Sequence, residues 1–445
     1  MDLEGFVRRR IIRGVDEAGI LKELNEALQE FKDWSEEKRL KFSQAVIDEV
    51  NITEQRIDDP FLKMLLEYPR TGVTMGEFGV GSRGEGDFFV HRNLAEIIKT
   101  TAVVDATQQD DAGVVRGEGK YVTVAIDGMH SRLSEFPYLA GFHAARAALR
   151  DVYVMGSKPV ALISDLHLAD DGDVGKLFDF TAGVGTVSEL TDVPTVAGST
   201  LRIGGDMVLG DRLVAAVGAV GISSERPTAR KNVKVGDVIL LTEGAGGGTI
   251  TTIALYNGYF DVVMETLNVD FMHDCRQIQK GGLLPKIHAM TDVTNGGLRG
   301  DAAEISKTSG HKLLFYEDML DKPVNGRVLE MLKELEIDHL GISTDSLMLI
   351  LPQEYVVDVK KTLNNVYEVG RVEKGTGARI LGEKERDFTP LFRESAYTKI
   401  KKVVGERSPE HIESIKENII KARKLSINKK EQVKTGVYKN EKRYR

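Results

Sequence analysis

The chain has a single cysteine, Cys275, among 445 residues, which excludes an internal disulfide framework and any cysteine-rich zinc site. Cys275 then reads as a small packed hydrophobe, and any metal chemistry must use oxygen or imidazole ligands. Long apolar runs are missing too. Nothing approaches the roughly 18–20 residues of a bilayer-spanning helix, and the basic start MDLEGFVRRRIIRG leads into no apolar core of a secretory signal. A cytoplasmic protein without membrane contact is expected. No G-x-x-x-x-G-K-[ST] occurs, so Walker-type phosphate binding is unsupported, and no internal repeat or low-complexity array is present.

What is there is ordinary globular composition: 41% hydrophobic residues, enough to bury a sizeable core in two or three domains. The net charge of −8 argues against a globally basic nucleic-acid binder. That charge is uneven. Lys421 to Arg445 carries ten Lys/Arg against Glu431 and Glu441, a local net of +8, leaving about −16 elsewhere. Such a tail reads as solvated and disordered; a salt-sensitive contact with RNA, an anionic membrane or an acidic partner is the alternative.

Residues 1–70 read as a helical extension. Ile20, Leu24, Leu28 and Phe31 recur at helical spacing with Asp16 as a cap, Phe42, Ala45, Val46 and Val50 follow, and Phe61 to Leu66 add a short third element before Pro69. From Thr71 the composition changes: Gly76, Gly79, Gly81, Gly84 and Gly86 fall within eleven residues. Glycine at that density lets backbone N–H groups approach an anion. The formal G-x-G-x-x-G match of Gly79, Gly81 and Gly84 does not read as a dinucleotide fold, since no apolar strand precedes it and Glu85, Gly86 and Asp87 stand where a helix should open. A mobile loop over phosphates is expected, with Ser82, Arg83, His91 and Arg92 as its polar tools; a flexible linker is the alternative.

Two carboxylates mark the next stretch. Val122 and Val124 alternate with Thr123 and Ala125, which places Asp127 at a strand end, and Pro137 to Met155 reads as a helix with Phe142, Ala145, Leu149 and Val152 on its apolar face and Asp151 at its tight end. Charges in such surroundings are expensive unless a cation offsets them. Either Arg146 and Arg150 partner Asp151, or a metal does, and oxygen ligands favour magnesium or manganese. The adjacent Asp110 and Asp111 repel unless a cation binds them or water solvates them. A helix from about Gly175 to Leu190 and a hairpin of β-branched strands around Gly204-Gly205 close an α/β domain over 71–227. A second, over 228–400, opens strand, glycine loop, helix. It later sets Asp292, Thr294 and Gly296-Gly297 before a helix whose free N–H groups suit an anion. Residues 401–445 complete the chain as a helical, then basic, tail.

Six segments in this order, QDDAGVV, AIDGMH, AARAALRDVYVMGSKPVAL, TVAGST, VGDVILLTEGAGG and TDVTNGGLRGDAAEIS, resemble the superfamily of AIR synthase, selenophosphate synthetase, thiamine-monophosphate kinase and the hydrogenase-maturation carbamoyl dehydratase. The resemblance covers about Thr71 to Leu381. It implies an α/β fold in two AIR synthase-like halves, the first pairing across a homodimer so that strands of both subunits build a β-barrel, with ATP in clefts beside it. It further implies that Asp110, Asp111, Asp127 and Asp151 hold Mg2+ on the triphosphate. Gly79, Gly81, Ser82 and Gly84 would then fold over the nucleotide with Arg83 and His91 as catalytic groups beside Asp127, and Asp292, Gly296 and Gly297 would bind cofactor from the second half. Departures narrow the chemistry. Ser82 and Arg83 stand where selenophosphate synthetases carry Cys or selenocysteine followed by Lys, the chain ends YKNEKRYR without the carbamoyl-accepting cysteine, and Ser199 replaces an acid for which Asp206 could substitute. The expectation is a Mg-ATP-dependent enzyme phosphorylating an oxygen of a small-molecule substrate; a non-catalytic nucleotide-binding or scaffold protein of the same fold is the alternative.

Overall fold

The computed structural model describes residues 1–55, 57–82, 84–294, 297–394 and 397–441 together with Gly296, with side chains described to 435. Four helices come first: α1 (Leu3–Ile12), α2 (Glu17–Gln29), α3 (Glu36–Thr53) and α4 (Pro60–Leu66). Asp2, Asp16, Ser35 and Asp59 cap them, each side chain accepting from the amide three residues on. Leu3, Val7, Ile20, Leu24, Leu28, Val46, Ile47 and Val50 form a small core that also takes in Leu209 of the main body. Lys32 Nζ reaches Asp170 at 2.6 Å, so the acidic loop at 170–173 is a docking point for this bundle.

The glycine-rich run is shorter than a loop. Met75–Phe78 is α5 and Glu85–Ala95 is α6, so a helix does open at Glu85 despite Gly84 and Gly86. The first sheet is built of β1 (Gly113–Gly117), β2 (Lys120–Gly128), β3 (Lys158–Leu168), β4 (Thr195–Arg202) and β5 (Leu213–Ser223), in the order β1-β2-β5-β3-β4. The expected hairpin around Gly204-Gly205 does not form. β4 pairs parallel with β3, and β5 inserts between β2 and β3, because the apolar face of each strand is completed by distant strands rather than by its sequence neighbour. Helices α7 (Pro137–Val154) and α8 (Gly175–Thr191) cover one face. They approach backbone to backbone where Gly141 meets the Phe180 carbonyl and Gly183 the Tyr138 carbonyl, contacts any Cβ would block. The other face is open: Val124 is 50% and Ile126 71% exposed, and every residue of β4 is exposed.

The second half contains α9 (Gly248–Asn257), α10 (Phe260–Glu265), α11 (Asp270–Lys280), α12 (Gly297–Ser309), α13 (Gly326–Glu334) and α14 (Val356–Thr362). Its seven strands are β6 (Asp237–Thr242), β7 (Ala289–Asp292), β8 (Lys312–Tyr316), β9 (Leu347–Pro352), β10 (Val366–Glu373), β11 (Ala378–Leu381) and β12 (Glu385–Asp387), ordered β12-β11-β8-β10-β6-β9-β7. The fold is therefore α/β in two halves, and one hydrophobic core joins them, with Leu149 and Val154 of α7 in the same cluster as Leu240 and Leu349. Cys275 is buried in that cluster as a hydrophobe. Two further helices follow, α15 (Lys399–Val404) and α16 (Ile412–Glu441). The tail read as disordered is thus helical to Glu441, and Arg423 pairs with Glu96 just past α6 at 2.5 Å. No helix among the described residues is long and apolar enough to cross a membrane.

Candidate functional site

A cleft of about 690 Å³ lies between the halves, walled by α6, the 109–111 loop, the end of β2, α7 and α12. Asp127 reaches it because β2 ends at Gly128, and Asp151 because it sits in the last turn of α7. The 110–111 pair arrives on the loop that leads into β1. Four carboxylates separated by up to 41 residues thus line one cavity.

Two buried arginines organise its floor. Arg150 donates from Nε to Asp292 at 2.9 Å and from Nη1 to Asp345. Arg146 lies 3.6 Å from Asp345 and donates to the Thr266 carbonyl at 2.7 Å. These are the partners that α7's arginines take, so the alternative in which they hydrogen-bond Asp151 is not what forms. Burial lowers the Arg146 guanidinium to about 10, while for Arg150 Asp345 and Asp292 outweigh burial and raise it. Asp345 ends up below the usual carboxylate range because Arg150 and Arg146 overcome its own burial. Arg230, 4% exposed, plays the matching part on the other side, with Nη2 at 2.8 Å from Asp111 and 3.0 Å from Asp301. Its amide donates to Asp110 Oδ1 at 2.8 Å.

The acids outnumber these cations. Burial, then Asp292, Asp127 and Asp111, push the Asp151 carboxyl well above its ordinary value. Burial also raises Asp110, Asp111 and Asp301, in each case against the pull of Arg230, and raises Asp292 to about 6 despite Arg150. Asp110 Oδ2, Asp111 Oδ2, Asp301 Oδ2 and Glu304 Oε2 are buried without a hydrogen-bond partner. Unpaired carboxylate oxygens facing like charges fit a hard divalent cation, and the all-oxygen donor set suits magnesium. Among the described residues no three His, Cys, Asp or Glu side chains stand close enough to cage an ion. A cation here would therefore complete its shell with ligand or water oxygens, as magnesium commonly does.

Among the described residues, the glycine run meets the cleft only through Gly81. Gly79 is left-handed at φ 72°, the Gly81 amide donates to Asp87 Oδ1 at 3.0 Å, and Ser82 N donates to the Gly79 carbonyl at 3.0 Å. Gly84 caps α6 and faces the Leu391 and Phe392 carbonyls, away from the cavity. Arg83 lies outside the described residues. His91, half exposed, stands on the cleft wall 3.3 Å from Asp87. Asp292 is 1% exposed and held by Arg150, so it contributes charge behind the cavity. Gly296 and Gly297 take positive φ at the start of α12, where Gly297 packs against the Gly341 backbone. Ser199 and Asp206 stand elsewhere: both are exposed, and Asp206 pairs with Arg202.

Sequence reasoning missed Arg230, Asp301, Glu304, Asp345 and the cleft histidines His130 and His143. His143 is buried and held well below its ordinary value by burial and Arg146. Arg146 faces its Nδ1 at 3.3 Å, so the neutral ring carries its proton on Nε2, toward Thr251 Oγ1 at 2.7 Å.

The chain is similar to known proteins. Residues 109–223 match the model of the AIR synthase related protein, N-terminal domain, and residues 234–382 that of the AIR synthase related protein, C-terminal domain. The chain is 58% identical over 439 residues to "Uncharacterized protein MJ1416" of Methanocaldococcus jannaschii, covering 97% of both chains. It is 31% identical over 222 residues to a selenide, water dikinase of Aeromonas hydrophila, covering 47% of this chain and 59% of that one. Among solved structures, "AaThiL complexed with AMPPCP and TMP" superposes with a TM-score of 0.53 at 20% identity, over 68% of this chain and 95% of that one. With both halves matched in order and the acids of its motifs meeting in one cleft, the chain belongs to the AIR synthase-related family.

Proposed function

We propose that the chain is a magnesium- and ATP-dependent enzyme that phosphorylates an oxygen of a small metabolite, as product or as an activated intermediate, and that it works as a homodimer in the cytoplasm. One observation carries this reading: Asp110, Asp111, Asp127 and Asp151 line one cleft and Asp151 is pushed well above its ordinary value, a repulsion that a cation relieves. Those four residues would hold magnesium together with ligand or water oxygens, since no three of them close on one point, and the ion when bound neutralises polyphosphate charge and helps fix the transferring group in line. The chain's own groups do the rest. Arg150 and Arg230 keep the acids of the floor in place, α6 closes one side, and His91, tied to Asp87, is within reach of a proton on a bound hydroxyl. The AaThiL neighbour was solved with AMPPCP, an ATP analogue, and the relative from Aeromonas hydrophila is named a dikinase; both support the nucleotide. The open face of the first sheet, rich in Val124, Ile126, Val196 and Leu201, supports pairing with a second copy.

The test is calorimetric titration of ATP with magnesium into the wild type and Asp127→Asn, with nucleotide products analysed afterwards. Binding that disappears in the variant supports the site, and a wild type that binds no nucleotide sinks the reading. A second reading, nucleotide binding without turnover, is favoured by one feature. The Gly79, Val80, Gly81 and Ser82 amides all donate within the chain, as in a segment not poised to cradle phosphate. ATP binding with no turnover against any acceptor pool would select it.

A further inference from the structure

Beyond residue 382, where the family match ends, the chain returns to the cleft. The Leu391 carbonyl accepts from the Glu85 amide at 2.9 Å and the Phe392 carbonyl from the Gly86 amide at 3.2 Å. These are the first two amides of α6, which a helix cannot satisfy by itself, and Gly84 before them gives no side-chain cap. A Cβ at Gly84 would collide with both carbonyls, and one at Gly86 first with the Phe78 carbonyl of α5 and then with the Phe392 ring. Gly84 is therefore shaped to the segment that covers it, while Gly86 answers to α5 and to that segment together. Phe392 also meets Phe78 edge-on at 5.5 Å.

Two residues further along anchor the segment at both sides of the cleft. Glu394, 4% exposed, accepts two 3.0 Å hydrogen bonds from Arg299 of α12 and a 2.8 Å bond from the Leu391 amide. Tyr397, 2% exposed, brings its hydroxyl to 2.6 Å from His130 Nε2 on the cleft wall. The proton positions follow from the neighbours. Thr252 donates its only hydroxyl hydrogen to the Gly248 carbonyl at 2.7 Å, so it accepts from His130 Nδ1 at 2.9 Å. A ring with its single proton on Nδ1 accepts at Nε2 from the Tyr397 hydroxyl.

We infer that the segment 391–394, together with Tyr397, is a positioning element of the cleft. Its carbonyls fix the α6 wall, the Glu394–Arg299 pair is its clasp, and Tyr397 is a positioning residue that acts through His130. An eleven-residue helix behind a glycine run is marginal in isolation. The placement of Asp87, Phe88 and His91 in the cleft therefore depends on contacts that come from about 300 residues away in sequence. The inference rests on the Mg-ATP reading for its affinity readout alone.

The experiment uses the full chain. Hydrogen exchange at the Glu85 and Gly86 amides, Mg-ATP calorimetry and the His130 ring signals by NMR are compared in wild type, Glu394→Gln, the charge reversal Glu394→Arg, the swap Glu394→Arg with Arg299→Glu, and Tyr397→Phe. Loosening the clasp should speed exchange at the two amides about tenfold and weaken Mg-ATP by a similar factor, and the swap should restore most of both. Tyr397→Phe should leave the amides protected but shift the His130 ring nitrogen signals. Unchanged exchange in Glu394→Gln and Glu394→Arg overturns the clasp, and faster exchange with equal or tighter Mg-ATP binding overturns the positioning role. A wild type that binds no Mg-ATP removes the proposed function instead, and the exchange and ring signals still decide the segment's role.

Discussion

Arg150 Nε stands 2.9 Å from Asp292 Oδ2, and through this pair helix α7 of the first half is tied to strand β7 of the second. Both side chains are almost fully buried, at 5% and 2% exposure. Removing one partner of such a pair strands a charge in a dry interface and costs about 3–5 kcal/mol. Arg150→Met should therefore lower the urea midpoint steeply. Arg150→Met combined with Asp292→Leu should recover part of the loss, since one of the two stranded carboxylates is gone and Asp345 keeps Arg146 at 3.6 Å. Equal midpoints for wild type and Arg150→Met would mean that the pair contributes nothing to holding the halves together.

Asp151 should behave in the opposite way. Its carboxyl is raised by burial and by Asp292, Asp127 and Asp111, so Asp151→Asn relieves repulsion in the ligand-free protein. We expect the variant to unfold at higher temperature than wild type when magnesium is absent, by on the order of 1 kcal/mol or more. Its Mg-ATP affinity should fall about 30-fold or more, on the scale of a lost electrostatic contact, roughly 2–4 kcal/mol. Paired thermal unfolding and calorimetry check both signs. A variant that is less stable and still binds Mg-ATP would make Asp151 a structural carboxylate.

The difference between Asp151 and Arg230 explains what the sequence could and could not disclose. Asp127 and Asp151 sit in runs of small and apolar residues, so their misplacement is visible locally. Arg230 lies in SERPTARKN, which reads as a solvated linker, and only the packing of the 109–111 loop and α12 around it reveals a 4% exposed guanidinium. The same limit misled the strand pairing. β4 and β5 look like a hairpin because they are adjacent in sequence and β-branched, yet β3 satisfies both of them. Gly84 and Gly86 hid α6, since glycine is needed at 84 for the approach of Leu391 and Phe392 and at 86 for that of the Phe78 carbonyl and the Phe392 ring, tertiary contacts that no local pattern encodes. Where residues answer to their neighbours, as with the Asp16 cap and the Ile20, Leu24 and Leu28 face of α2, sequence and structure agree.

A pH dependence is expected outside the cleft. Burial and then the nearby Asp270 raise the Asp274 carboxyl on α11 to about 7. The folded state therefore holds this proton more tightly than the unfolded chain, whose carboxyl stays near 3.8. That contribution is fully present below the unfolded value and is lost as pH rises through about 7. Wild type should lose about 1–3 kcal/mol relative to Asp274→Asn between acid and mildly alkaline pH. Chemical denaturation of both proteins at several pH values, with magnesium absent, checks the sign. Parallel curves would show that Asp274 is solvated in both states.

The open sheet face gives the last prediction. Ile126 is 71% exposed on β2, beside Val124 at 50%, and Val196 and Leu201 of β4 extend the same apolar surface at 61% and 55%. The Asp165–His167 pair and Ser199 interrupt this face between Ile163 and Leu201, yet water contact at its apolar side chains is unfavourable and an open sheet face recruits a partner. A second copy of this chain offers the same face, so an interface of roughly 1,600 Å² or more is expected. Ile126→Asp places a carboxylate at its centre, where each copy would bury an unpaired charge against the other. Analytical ultracentrifugation should then show a dimer for wild type and a monomer for the variant, with unchanged far-UV circular dichroism because residue 126 faces away from α7 and α8. A wild type that sediments as a monomer at micromolar concentration would leave this face for a different partner and remove the dimer from the proposed function.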